Sequence, residues 1–314
     1  MNAMTFEHEP RRLVTVRDPE TVRDPEGKFR RNYNRADFMF KHELSGLPLF
    51  DLQSLVELTR RMPDHGEHYW SNGPVAVHNT WSDGTIGRQS LQDTITNIEH
   101  NNSIVILKHT EQDEVFAPVL QSTLARLIDL AGPRMRDDVT IGEVLILVSS
   151  PGRITPYHMD SETNFLLQVT GNKSFHIFSH TDRTLVTERE REDFFAISRN
   201  CAVYRPQRQD ECNKYDLRAG YGVHVPPCSP HWVKNGDNVS VALSVNYELR
   251  SVDRLEKLYK FNHRLRKMGL DPAPPAVSGW RDRLKLAATE GVSAVKAVIK
   301  KKPAPAPWQV WTPS

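Results

Sequence analysis

From about residue 140 to 248 the chain runs in short strand-forming segments separated by turns, with no helical period between them. These segments are EVLILVSS (143–150), NFLLQV (164–169), KSFHIF (173–178), YGVHVP (221–226), HWVKN (231–235) and NVSVALSVNYE (238–248). Strands that follow one another without intervening helices point to an antiparallel barrel or sandwich. Gly171 and Asn172 read as a hairpin turn between the second and third segments. The last segment alternates with period two: Val239, Val241, Leu243 and Val245 share one face, and Ser240, Ala242, Ser244 and Asn246 the other. A strand with one bulky apolar face and one small polar face packs a core on one side and lines a pocket on the other.

Helical patterns flank this β region. LPLFDLQSLVELTRRM (47–62) reads as a helix capped by Asp51, and SLQDTITNIEHNN (90–102) as a second, short one. SIVILKH (103–109) is strand-like, and APVLQSTLARLIDLAGP (117–133) is a helix with Gly132 and Pro133 as its stop. Residues 251–269 and 279–301 are helical again, the latter with Trp280, Leu284, Ala288, Val292, Val295 and Ile299 at helical spacing. Residues 1–45 read as a polar arm carrying a direct duplication, TVRDPE, at 15–26; two copies do not make a solenoid. The expected division is 1–45 arm, 46–139 mixed helical part, 140–250 β barrel, 251–301 C-terminal helices and 302–314 tail.

The totals exclude several classes. Lys and Arg number 41 against 39 Asp and Glu, so the balance does not argue for nucleic acid. No apolar run approaches the roughly 20 residues of a membrane span, and MNAMTFEHEPRR lacks the apolar core of a signal peptide. Three cysteines, Cys201, Cys212 and Cys228, without a CxxC spacing argue against a disulfide framework or a cysteine-rich zinc site. A reducing, cytoplasmic setting is the expectation.

The chemistry begins in TPYHMDSETN, 155–164, where His158 and Asp160 stand two apart. On extended backbone they point the same way and can offer a nitrogen and an oxygen to one ion. His-x-acid pairs also occur at His65 and Glu67, His109 and Glu111, and His180 and Asp182, so the spacing alone selects nothing. A third ligand would come from another strand, and His231, opening HWVKN after a proline-rich turn, is a candidate. Two histidines and one carboxylate on one face of Fe(II) leave three coordination positions open.

Around that pair the residues resemble the JmjC and cupin-like Fe(II)/2-oxoglutarate oxygenases, and among them the asparaginyl hydroxylase called factor inhibiting hypoxia-inducible factor. Thr155 stands three before His158, Asn164 four after Asp160 and Lys173 thirteen after it; Asn246 lies fifteen beyond His231. The resemblance covers about a third of the chain. It does not extend to His180 and Asp182, where the corresponding offsets fall on Ile177 and Phe195; these read as turn residues.

The resemblance implies a double-stranded β-helix (jelly-roll) core with flanking helices. It implies His158, Asp160 and His231 as ligands of Fe(II), and 2-oxoglutarate and O2 as cosubstrates. It implies that Lys173 and Thr155 hold the far carboxylate of 2-oxoglutarate by charge-assisted bonds, and that Asn164 and Asn246 serve its iron-side carboxylate. The presence of Asp160 favours hydroxylation, with succinate and CO2 as coproducts, over halogenation. The substrate is expected to be a protein or peptide side chain; a small molecule or an N-methyl group, and a non-catalytic cupin-type binding protein, are the alternatives. C-terminal helices form a dimer in several relatives, and the apolar positions of 280–299 would suit that. His224 reads as a core residue beside the site, the ERERED run at 188–193 as a solvated helix face or loop, and VKAVIKKK at 295–302 as a basic helix end.

Overall fold

The structure, a computed structural model, describes residues 21–62, 68–80, 85–86 and 89–299, with backbone alone at 69, 85–86 and 290–299. In chain order the described elements are β1 (Val22–Arg23), α1 (Lys28–Asn32), β2 (Phe38–His42), α2 (Leu52–Arg61), β3 (Tyr69–Asn72), β4 (Thr85–Ile86), α3 (Leu91–Thr96), β5 (Ile104–Leu107), α4 (Ala117–Ala131) and α5 (Pro133–Arg136). There follow β6 (Val139–Ser149), β7 (Ile154–His158), β8 (Thr163–Thr170), β9 (Asn172–Ile177), α6 (Glu188–Ala196), β10 (Asn213–Arg218), β11 (Tyr221–Val225), β12 (His231–Asn235), β13 (Ser240–Leu249), α7 (Arg250–Lys267) and α8 (Gly279–Ile299).

The strands form two antiparallel sheets. The larger runs β1-β2-β11-β8-β13-β6-β5-β3-β4 and the smaller β10-β9-β12-β7. From β6 to β9 and again from β11 to β13 the chain switches sheet with each strand, which makes the core a double-stranded β-helix. The two faces of β13 divide as its alternation requires. Val241, Leu243 and Val245 join the large core shared with Leu55, Leu58, Leu120 and Leu124 of α2 and α4. Ala242 joins a smaller cluster with Leu166, Phe175 and Val233. Helix α2 starts where Asp51 accepts a 2.7 Å bond from the Ser54 amide.

Three expectations need correction. Gly171 and Asn172 do not close a hairpin: β8 pairs with β11 and β13, while β9 pairs with β10 and β12. The turn is a corner between sheets. Gly171 has φ +77, and a Cβ there would lie 2.3 Å from the Val239 carbonyl oxygen. The corner is tied to the next one, at 236–238, by Gly236 N–H to the Asn172 carbonyl at 2.9 Å and Asn172 N–H to Asn238 Oδ1 at 3.0 Å. A turn signature specifies the bend, not the neighbouring strand.

Second, the polar arm expected over 1–45 is built into the fold from residue 21 onward. β2 pairs with β11 at the edge of the jelly roll, and Phe29, Tyr33, Phe38 and Phe40 are buried. Phe29 stacks on Phe165 at 5.6 Å and meets Phe40 edge-on at 5.0 Å, so four sparse aromatics anchor an otherwise charged segment. Residues 15–20 of the duplication lie outside the described residues.

Third, the ERERED run is not a solvated face. It forms α6, opened by a capping box of Thr187 and Glu190, and its Arg191 and Glu192 are buried. The same insert contributes the edge strand β10.

Candidate active site

Strands β7 and β12 pair so that His158 lies directly opposite His231. Their rings are 4.2 Å apart between centroids. Asp160 follows β7, and its carbonyl accepts a 2.7 Å bond from Cys228 N–H in the turn before β12. Its Oδ2 stands 3.7 Å from His158 Nε2 and 3.6 Å from His231 Nε2. Ligand-capable atoms of the three residues lie within 4.8 Å of one another, the one such group among the described residues.

The tautomers are set from behind. His158 Nδ1–H donates to the Pro156 carbonyl at 2.7 Å and His231 Nδ1–H to the Ser229 carbonyl at 2.9 Å. Each ring therefore turns an Nε2 lone pair toward Asp160. Burial and the neighbouring His158 push the His231 pKa down to about 4, so this imidazole is neutral at neutral pH. Two imidazole nitrogens and a carboxylate converging on one point form a donor set that fits a divalent cation. The two-nitrogen, one-oxygen composition is the one non-haem Fe(II) takes.

The cluster opens on a cavity of about 370 Å³ between the two sheets. Thr155, Asn164, Lys173 and Asn246 all line it together with the three cluster residues. Lys173, at the start of β9, is 5% exposed. Among the described residues its ammonium has no carboxylate partner, and burial pulls its pKa down to about 7. On the facing sheet Asn164 lies opposite Asn246. The Asn164 amide donates to Ser244 Oγ at 2.6 Å and to Asn246 Oδ1 at 2.5 Å. The Asn246 amide is left with a 3.5 Å contact to the Ser244 carbonyl and is the freer donor.

The other His-acid pairs do different work. Glu111 accepts from Val144 N–H at 2.9 Å and Thr110 donates to the Val144 carbonyl at 2.7 Å, stitching their loop to β6. Asp182 caps its own turn through the amides of Thr184 and Leu185. His65 and Glu67 lie outside the described residues. His224 is fully buried between Asn34 N–H and the Asn164 carbonyl, both at 3.1 Å. The sequence reading did not single out Glu143 and Glu162, which also line the cavity. Glu162 is two beyond Asp160, a period-two position that was open to inspection; Glu143 arrives from β6 with no local signal.

A jelly roll carrying a His/Asp/His cluster at the mouth of an inter-sheet cavity is the class of protein that fold and site define. No protein-family model matches the chain and no curated protein matches its sequence. Among solved structures the chain is similar to Escherichia coli ycfD, at 13% identity over 90% of this chain and 69% of that one, with a TM-score of 0.52. A structure of that protein described as a ribosomal oxygenase in complex with cobalt and 2-oxoglutarate aligns at 14% identity over 87% of this chain and 67% of that one, with a TM-score of 0.49. At such identity the likeness is one of fold. Among the described residues, no helix is long and apolar enough to cross a membrane.

Proposed function

We propose that the protein is an Fe(II)- and 2-oxoglutarate-dependent oxygenase that hydroxylates a C–H bond, with a protein or peptide side chain as substrate. The observation that carries this reading is Lys173: a buried ammonium, without a carboxylate partner among the described residues, on the wall of the cavity that holds the His/Asp/His cluster. An uncompensated buried cation is costly to the fold. A dicarboxylate reaching from the cluster to Lys173 would supply the missing counter-charge.

In this reading His158, Asp160 and His231 hold the iron through Nε2, Oδ2 and Nε2. When bound, the iron supplies activation of O2 coupled to oxidative decarboxylation of the keto acid, with succinate and CO2 as coproducts. Lys173 and the Thr155 hydroxyl bind the far carboxylate, the first by charge and the second as a donor. Asn246 and Asn164 orient the other end. Leu166, Phe175 and Val233 keep the cavity wall dry, which strengthens each of these contacts.

The protein substrate rests on the motif spacing shared with the asparaginyl hydroxylase. Three free cysteines fit a cytoplasmic setting. The jelly roll spanning 140–250 would be the catalytic unit. Helices α7 and α8 would pair two copies, since Met268, Leu270, Trp280 and Leu284 are exposed there; Ala288 of the 280–299 apolar series is exposed too, and its Val292, Val295 and Ile299 lie outside the described side chains. Light scattering that loses its concentration dependence on deletion of 277–314 would support the dimer, and unchanged scattering would refute it.

The decisive test of the activity adds Fe(II) and 2-oxoglutarate to the purified protein without oxygen. A visible charge-transfer band is expected, absent in Lys173→Ala and His158→Ala. No band, with no 2-oxoglutarate binding by calorimetry, overturns the proposal and leaves a non-catalytic cupin-type binding protein.

A further inference from the structure

A second cavity, of about 330 Å³, lies among α6, the first turns of α7, the loop after β9 and the turn holding Pro227 and Cys228. No residue lines both this cavity and the one described above. Its wall carries three basic side chains, His180, Arg183 and Arg191, and among the described residues no carboxylate.

The charge accounting of α6 singles out Arg191. Each acid of the helix is committed elsewhere. Glu188 pairs with Arg183, Glu190 with Arg205 at 2.7 Å, Glu192 with Arg266 at 2.9 Å, and Asp193 meets His263 at 3.4 Å. Asp182, in the loop before the helix, pairs with Arg208 at 2.9 Å. Among the described residues Arg191, alone of these arginines, has no carboxylate partner, although it is 7% exposed.

Its Nε donates to the Val186 carbonyl at 3.2 Å and its Nη2 to the His180 carbonyl at 2.9 Å. A guanidinium has five N–H donors in a planar fork; among the described residues Nη1 has no acceptor. Arg191 also sits in the first turn of its helix, where the peptide dipoles disfavour a cation. Two neutral carbonyls hold the side chain in place but do not neutralise it. Beside it in the cavity wall is Tyr259, 2% exposed, whose hydroxyl takes a 3.4 Å contact from Arg183 and has no acceptor of its own among the described residues.

We propose that this cavity is a second ligand site, for a small oxyanion of the phosphate or compact carboxylate kind, held by the Arg191 fork with the Tyr259 hydroxyl as a further donor. The ligand supplies the counter-charge that the protein withholds. The inference does not depend on the iron or on the oxygenase reading.

The test titrates inorganic phosphate and, separately, succinate into full-length Lys173→Met protein, by calorimetry and by thermal shift. That background removes the anion anchor of the first cavity. Saturable binding in the millimolar range or tighter is expected for at least one of the two, and their ranking identifies the source chemistry. Adding Arg191→Gln should weaken it by about tenfold or more, and adding Tyr259→Phe by a few-fold. If Arg191→Gln does not fold, Arg191→Lys, which keeps the charge and loses the fork, should still weaken binding. No saturable binding of either anion, or binding that these changes leave untouched, overturns the proposal.

Discussion

Replacing Lys173 by Met should stabilise the protein without ligand while abolishing 2-oxoglutarate binding. The ammonium is 5% exposed and has no carboxylate partner among the described residues, and burial lowers its pKa from 10.5 to about 7. In the unfolded chain the group keeps its ordinary value. Below pH 7 both states carry the proton and the fold bears the whole desolvation cost. Between pH 7 and 10.5 the unfolded state binds more protons, so stability rises with pH. Above 10.5 both states are neutral and the cost is gone. The gap corresponds to about 5 kcal/mol. A Lys-to-Met exchange of similar volume changes packing by less than about 1.5 kcal/mol. Urea unfolding at pH 6 should therefore find Lys173→Met more stable by about 3–5 kcal/mol, with the difference vanishing as pH approaches 10. Adding 2-oxoglutarate with Fe(II) under anaerobic conditions should stabilise the wild type and not the variant. Near pH 7 binding should also take up about half a proton, read by calorimetry in buffers of different ionisation enthalpy. A variant no more stable than wild type at pH 6 would show that the ammonium is already paired or hydrated, and the reasoning from a buried lone charge would fail.

Three further outcomes follow from buried polar groups and close packing. Burial lowers the pKa of His224 to about 3 and of His42 to about 4. The unfolded chain therefore binds protons first as pH falls from 6.5, and each should cost the fold about 3 kcal/mol by pH 4; His42→Gln should flatten the urea midpoint between pH 7 and 4, and an unchanged slope would refute this. Arg266→Ala strands the Glu192 carboxylate, 1% exposed, and should cost about 3–5 kcal/mol at neutral pH, less in acid as Glu192 takes a proton. Gly222→Ala would set a Cβ 2.5 Å from the Phe40 ring and 2.7 Å from the Leu166 carbonyl oxygen. Overpacking of this kind costs about 1–3 kcal/mol, and a denaturation midpoint equal to wild type would show that β2 yields at no cost.

What the sequence made legible was periodic or local. The alternation of β13 foretold that Ser244 and Asn246 would face a cavity and Leu243 and Val245 a core, because side-chain direction follows from backbone geometry alone. His158 and Asp160 could be paired because they stand two positions apart on extended chain, and His231 lies across from His158 once β7 and β12 are neighbours. That neighbourhood was not legible. Alternation says which face a residue takes but not which strand lies alongside, and so the corner at Gly171 read as a hairpin. β2 was hidden for a related reason. Its burial comes from Phe165 and the edge of β11, partners more than a hundred residues away, and its short FMFKH run is embedded in a charged segment that reads as a solvated arm.

Charge is where local reading fails most instructively. In ERERED the residues predict solvent, because an isolated buried charge is costly. The cost is met pairwise: Glu192 is buried against Arg266 of α7 and Glu190 is held by Arg205, neither visible from within the helix. Once each acid is assigned, the buried arginine left over, Arg191, becomes informative, whereas Arg189 is exposed. The same logic applies to Lys173. Lys173 and Arg191 are buried, face cavities and have no carboxylate partner among the described residues, so they are poorly explained as contributions to stability. Each is explained by an anion that arrives from outside. The separate lining of the two cavities means that the two anions can be tested one at a time.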